Sequence, residues 1–209
     1  MAQIPLSKAQ LAREKENLAA FDRYLPALDL KRQQLMNARN EVRQRVAELG
    51  ERLAALTAAV GDELPMLADR RIDLDGLVRL RAVRERTVNV AGVRMPALDG
   101  IEVEIAAYGR MVRPHWVDAV VGRLEEALRL RLEVTVARRQ VAILNRAAAR
   151  VTQRVNLFEK ILKPEAKANI RKIMLHLGDA ERAAVVAAKI AKRQRAAEAA
   201  ALAGEGGTA

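Results

Sequence analysis

Residues 130–162 read LRLEVTVARRQVAILNRAAARVTQRVNLFEKIL. Within that stretch Leu130, Val134, Ala137, Val141, Leu144, Ala148, Val151, Val155, Phe158 and Leu162 follow one another by fours and threes, with no polar interruption. Such spacing keeps one side of an α-helix apolar and is the pattern of a coiled coil. Beyond Pro164 the stripe resumes one residue out of step, through Ala166, Ile170, Ile173, Leu177, Ala180, Ala184, Ala187 and Ala191. The slip reads as a stutter, which locally relaxes left-handed supercoiling.

A second stripe lies near the other end. Ser7 followed by Gln10 forms a capping box, flanked by Leu6 and Leu11 at staple positions. From there one row runs through Leu11, Leu18, Leu25, Arg32, Arg39, Val46, Leu53 and Val60. The other row runs through Glu14, Phe21, Leu28, Leu35, Val42, Leu49 and Leu56. Pro26 removes one helical hydrogen bond, which predicts a kink rather than a stop. Neither stripe can be buried by its own helix. Each is therefore expected to cover the other in an antiparallel hairpin, with a parallel homodimer through either stripe as the competing arrangement.

Between the stripes the pattern changes. Gly61, Pro65, Gly76, Gly92, Pro96, Gly100 and Gly109 break helices, and the apolar period falls to two at Val88, Val90, Val93, Met95 and then Ile101, Val103, Ile105. This predicts a strand, a turn near Met95–Gly100 and a return strand. The expected fold class is mainly α: a long antiparallel two-helix coiled coil with a short β-hairpin insert at its closed end. Its segments are a first long helix over 1–60, a turn-rich insert over 61–113, a second long helix over 114–203 and a disordered tail over 204–209.

Composition narrows the function. Of the 209 residues 51% are hydrophobic yet only 2% are aromatic, and 30% are charged. Large aromatic anchors, each burying about 150–250 Å², are nearly missing, so Leu, Val and Ala carry the core, as in long helices. That composition argues against a multi-layer enzyme fold. The chain has no cysteine, hence no disulfide, thiolate nucleophile or Cys-held metal. His115 and His176 lack ligand spacing and read as surface or packing residues. Asp69, Asp73 and Asp75 read as solvated, and Trp116 as a packing anchor under the hairpin. There is no Gly-x-x-x-x-Gly-Lys-Ser/Thr phosphate loop. No catalytic residue, cofactor or metal is therefore expected. No signal peptide is evident, and nowhere do 18 apolar residues follow one another, so a cytoplasmic chain with no membrane span is expected.

Three stretches together resemble a known family. Leu6–Leu35 is a Leu- and Lys-studded opening helix. Thr87–Leu98 carries Asn89, Gly92, Val93 and Pro96 in an Asn-x-x-Gly-Val-x-x-Pro pattern. Gln153–Ile173 carries Arg154, Val155, Asn156, Glu159, Pro164 and Ile170. In that order they are similar to the D subunit, the central-stalk rotor of V-type (A/V-type) ATP synthases, over about Leu6 to Arg195. The sequence departs from the family in its last helix, where Ala follows Asp179, Glu181 and Arg182, and Gly178 weakens the helix by roughly 1 kcal/mol relative to Ala. The resemblance implies a non-catalytic rotor shaft that couples ion flow in the membrane sector to ATP synthesis or hydrolysis in the catalytic head. It also implies the partners: catalytic and non-catalytic head subunits around the termini, a membrane-ring adaptor at the other end, and the stalk's F subunit at the side. The location implied is the cytoplasmic face of a membrane, as a peripheral part of the complex.

Charge leaves an alternative. The net charge is +11, and residues 114–209 hold 18 basic against 10 acidic groups. A basic coiled-coil arm binding nucleic acid or ribosome is the rival reading, weakened by the scarcity of aromatics. The F-type shaft is a weaker rival, because residues 61–113 are too few for the α/β domain which that shaft carries. Candidate partner-binding residues are Arg32 and Arg39 in the first stripe, Asn89, Gly92, Val93 and Pro96 in the insert, and Arg154, Asn156 and Glu159 in the last motif. A charge buried without a partner costs several kcal/mol, so Arg32 and Arg39 are expected to snorkel outward or to find carboxylates.

Overall fold

The computed structural model describes residues 4–68, 74–108 and 114–205. Helix α1 spans Lys8–Glu63 and is followed by a 3₁₀ turn, Pro65–Ala68. Strands β1 (Val78–Val90) and β2 (Val93–Ile105) come next, then α2 (Trp116–Leu157), a π-helical turn (Phe158–Leu162) and α3 (Lys163–Glu205). The fold is mainly α, two long helical stretches with one antiparallel β-hairpin between them. By contacts the chain divides into two compact units: Met1–Ala27 with Arg154–Ala209, and Leu28–Gln153.

In the first unit α1 starts on a partial capping box. The Gln10 backbone N–H donates to Ser7 Oγ at 3.2 Å, while the Gln10 side-chain amide turns to Glu14, donating to its Oε1 at 3.0 Å, rather than accepting from the Ser7 N–H. The helix then continues through Pro26 without stopping. Antiparallel pairing is fixed by three contacts. Lys8 Nζ lies 3.6 Å from Glu181, Asp22 lies 2.7 Å from Lys163 Nζ, and the rings of Phe21 and Phe158 meet edge to face at 5.3 Å. The ring pair contributes about 0.5–1.5 kcal/mol beyond its buried area. The exposed ion pairs contribute little.

The slip at Pro164 has a structural cause. Residues 158–162 are wound as a π-helix, and the Lys163 backbone N–H donates to the Phe158 carbonyl five residues back. One extra residue is thereby housed, which returns Ala166 and Ile173 to the buried face at 3% and 0% exposure. The stripe stays covered as far as Leu177, whereas Ala180, Ala184, Ala187 and Ala191 are exposed. They lie level with or beyond Lys8, where α1 begins. Helix α3 runs on to Glu205, two residues into the tail expected to be disordered.

In the second unit the first stripe packs as its period requires. Leu35, Leu49 and Leu56 are buried, while Leu28, Val42, Val46, Leu53 and Val60 are half-buried. From α2 come Val134, Ala137, Leu144, Ala148 and Val151, all buried. At roughly 1.5–3 kcal/mol for each fully buried large side chain, this seam is the main cohesive term. Glu63 accepts from Arg123 Nη2 at 2.8 Å near the closed end. That bond is the first cause of the raised Arg123 pKa, followed by the Glu63 charge itself, with burial acting the other way.

The hairpin differs from the sequence expectation in its turn. Val90 pairs with Val93, so the turn is Ala91–Gly92 and not Met95–Gly100; Met95, Pro96 and Leu98 lie inside β2. Both turn residues have positive φ, 50° and 80°, as a two-residue type I′ turn needs to match strand twist. Alternation pointed to the strands but placed the turn at the Pro–Gly cluster, where Pro96 in fact sits across from Thr87 in a two-stranded sheet that has only edges. The strands are 13 residues each, roughly 40 Å at the usual rise. Pairing slips at Arg81 and Asp99.

Candidate interaction surface

The hairpin leaves the closed end of the coil and folds back along it. At its base Leu77, Val117 and Val121 are buried together, with Leu74, Val78, Tyr108 and Trp116 packed around them. Trp116 thus serves as the packing residue under the hairpin, and the Tyr108 hydroxyl donates to Asp118. Further along, Arg139 meets Glu85 at 3.5 Å. Gln140 Nε2 donates to the Pro96 carbonyl at 2.6 Å, beside the buried Met95. At the tip, a Cβ on Gly92 would lie 3.3 Å from Lys31 Nζ. A side chain there would meet both strained backbone and the ammonium group, so only glycine fits comfortably.

This geometry gathers one group of the sequence candidates. Asn89, Gly92, Val93 and Pro96 all lie at the hairpin tip; Asn89 is exposed and pairs across the strands with Arg94. The tip rests against the stretch of α1 that holds Lys31 and Arg32. Arg32 is half-buried and finds a carboxylate: its Nη2 sits 3.0 Å from Asp29 Oδ1. That oxygen is buried and makes no aligned hydrogen bond, so the pair is held by charge. Arg39, also half-buried, donates through Nε and Nη2 to the Asn40 amide oxygen at 3.3 and 3.0 Å. The positions in the apolar row are thus occupied by arginines whose heads turn aside to polar neighbours.

Arg154, Asn156 and Glu159 belong to the other unit, where all three are exposed, Glu159 within the π-helical turn. Sequence reasoning missed Lys31, Glu85, Arg139 and Gln140. Their importance comes from contacts between residues 44 to 61 positions apart, for which local periodicity carries no signal. Asp69, Asp73 and Gly109 lie outside the described residues. Among the described residues no group of His, Asp and Glu is placed to hold a metal ion, and no helix is long and apolar enough to cross a membrane.

The surface presents paired charges, an exposed strand tip and partly covered apolar residues. The family model of the ATP synthase D subunit matches residues 10–193. The chain belongs to that family. Relatives named as the D subunit of V-type ATP synthase include one from Borreliella burgdorferi, 34% identical over 192 residues, which covers 92% of this chain and 95% of that protein. Another, from Chlamydia felis, is 30% identical over 198 residues, covering 92% and 94%. Membership of the D-subunit family makes this a central-stalk component of a V-type ATP synthase, not a catalytic one, and lends no support to a nucleic-acid-binding arm.

Proposed function

We propose that the chain is the rotating shaft of its complex, passing torque between a membrane ring and a catalytic head. The observation that carries this reading is the contrast along the second stripe. It is covered by α1 up to Leu177 and then runs on bare through Ala180, Ala184, Ala187 and Ala191, with the neighbouring Val185, Val186 and Ile190 more than half exposed beside it. A bare, apolar helix end costs solubility unless something encloses it, and a ring of alternating catalytic and non-catalytic head subunits would do so. At the closed end, Leu56, Val60, Leu67, Leu74, Val120 and Leu124 line a cavity of about 280 Å³, a foothold for the membrane-ring adaptor. The half-buried Arg32 and Arg39 with the hairpin tip form the lateral face assigned to the stalk's F subunit. ATP is bound by other subunits, and this chain works as a peripheral part of the complex, at the cytoplasmic face of its membrane.

Affinity purification of the native complex through a tag on this chain tests the reading. The chain should bring down an ATPase head and a membrane ring in fixed proportion. Recovery of the chain without either would refute it.

A further inference from the structure

Both backbone ladders of the coil are interrupted at one height. In α1, Pro26 has no amide hydrogen, so the carbonyl of Asp22 loses its partner one turn back. Across the seam the helix is wound as a π-turn over Phe158–Leu162, followed at once by Pro164. In a regular helix the Pro164 ring would press on the Lys160 carbonyl, and the wider turn relieves that clash. That the two interruptions face each other is fixed by Phe21 against Phe158 and by Asp22 against Lys163.

We infer that this level is a compliant joint, where the paired helices bend and open more readily than on either side. A helix resists bending through its ladder of hydrogen bonds, and local defects of these kinds are where helices kink. Staggered defects would leave each weak point splinted by an intact partner. Here neither helix splints the other. Packing adds little support: Tyr24, Leu157 and Ile161 are exposed, Phe158 and Leu162 only half-buried, and full burial returns at Val155 and Ala166 on the two sides. The Phe21–Phe158 contact and the Asp22–Lys163 pair keep the two breaks in register while the backbone yields. The compliance belongs to the chain itself and does not depend on the shaft assignment.

Amide hydrogen exchange on the full-length chain tests this. Amides over 24–30 and 160–166 should exchange about tenfold faster than those over 33–39 and 170–176, the difference expected from one or two missing net hydrogen bonds. Pro26→Ala repairs one ladder without disturbing the buried face. It should slow exchange over 24–30 and also over 160–166 in the opposite helix, because an intact α1 then splints the π-turn. Uniform protection along the wild-type helices would overturn the inference. So would a Pro26→Ala response confined to α1.

Discussion

The Ala91–Gly92 turn offers a test with two opposite signs. Ala91 holds φ at 50°, a left-handed conformation that costs an L-residue with a Cβ roughly 1–2 kcal/mol. Asparagine tolerates that region, and Asn-Gly is the favoured pair for a type I′ turn. Ala91→Asn should therefore stabilise the hairpin by about 1 kcal/mol, without the unfolded-state entropy that Ala91→Gly would add. Gly92→Ala runs the other way. It places a Cβ at φ 80° and 3.3 Å from Lys31 Nζ, so it should cost about 1–2 kcal/mol, the flexible lysine giving way while the backbone strain remains. Because the turn closes the hairpin's own ladder of paired residues, the assay is amide exchange within Val78–Ile105. At 1 kcal/mol the change is about fivefold: slower for Ala91→Asn, faster for Gly92→Ala. If both substitutions moved exchange in the same direction, or neither moved it, the turn would lie elsewhere in the strand.

Three further outcomes follow from the packing. Leu144, fully buried, should lose about 2–5 kcal/mol of stability on replacement by alanine, whereas Leu175→Ala, at a residue 66% exposed, should change the thermal midpoint very little. Gly178 lies inside α3 with nothing within 4 Å of an added Cβ, so Gly178→Ala should stabilise the chain by up to about 1 kcal/mol, read by chemical denaturation. Arg32→Leu leaves the buried Asp29 oxygen without its cation and should lower the melting temperature; Asp29→Asn in the same chain should recover part of the loss. Unchanged melting in both would make the pair energetically idle.

The helical seam was legible because its signal is local. Every position of the first stripe from Leu11 to Val60 is buried or half-buried, Arg32 and Arg39 included. A one-residue slip at Pro164 announced a defect, although periodicity alone could not say that a π-turn would absorb it. The hairpin was harder to place. Proline and glycine near 96–100 looked like the turn, while the true turn uses an alanine that no propensity favours there. Its docking was hidden altogether, since Gln140 meets the Pro96 carbonyl, and Lys31 meets Gly92, across long stretches of sequence. Of the candidate surface, the Asn89–Pro96 group was singled out through family resemblance, and its seat on α1 and α2 came only from the fold.

The central claim is that this chain turns. Since the chain contains no cysteine, a single one introduced at the exposed Arg81 on β1 can carry a bead on a complex whose head is fixed to glass. With ATP supplied, the bead should rotate persistently in one direction, stopping when ATP is removed. A bead that stays still while the same immobilised complexes hydrolyse ATP would contradict the account.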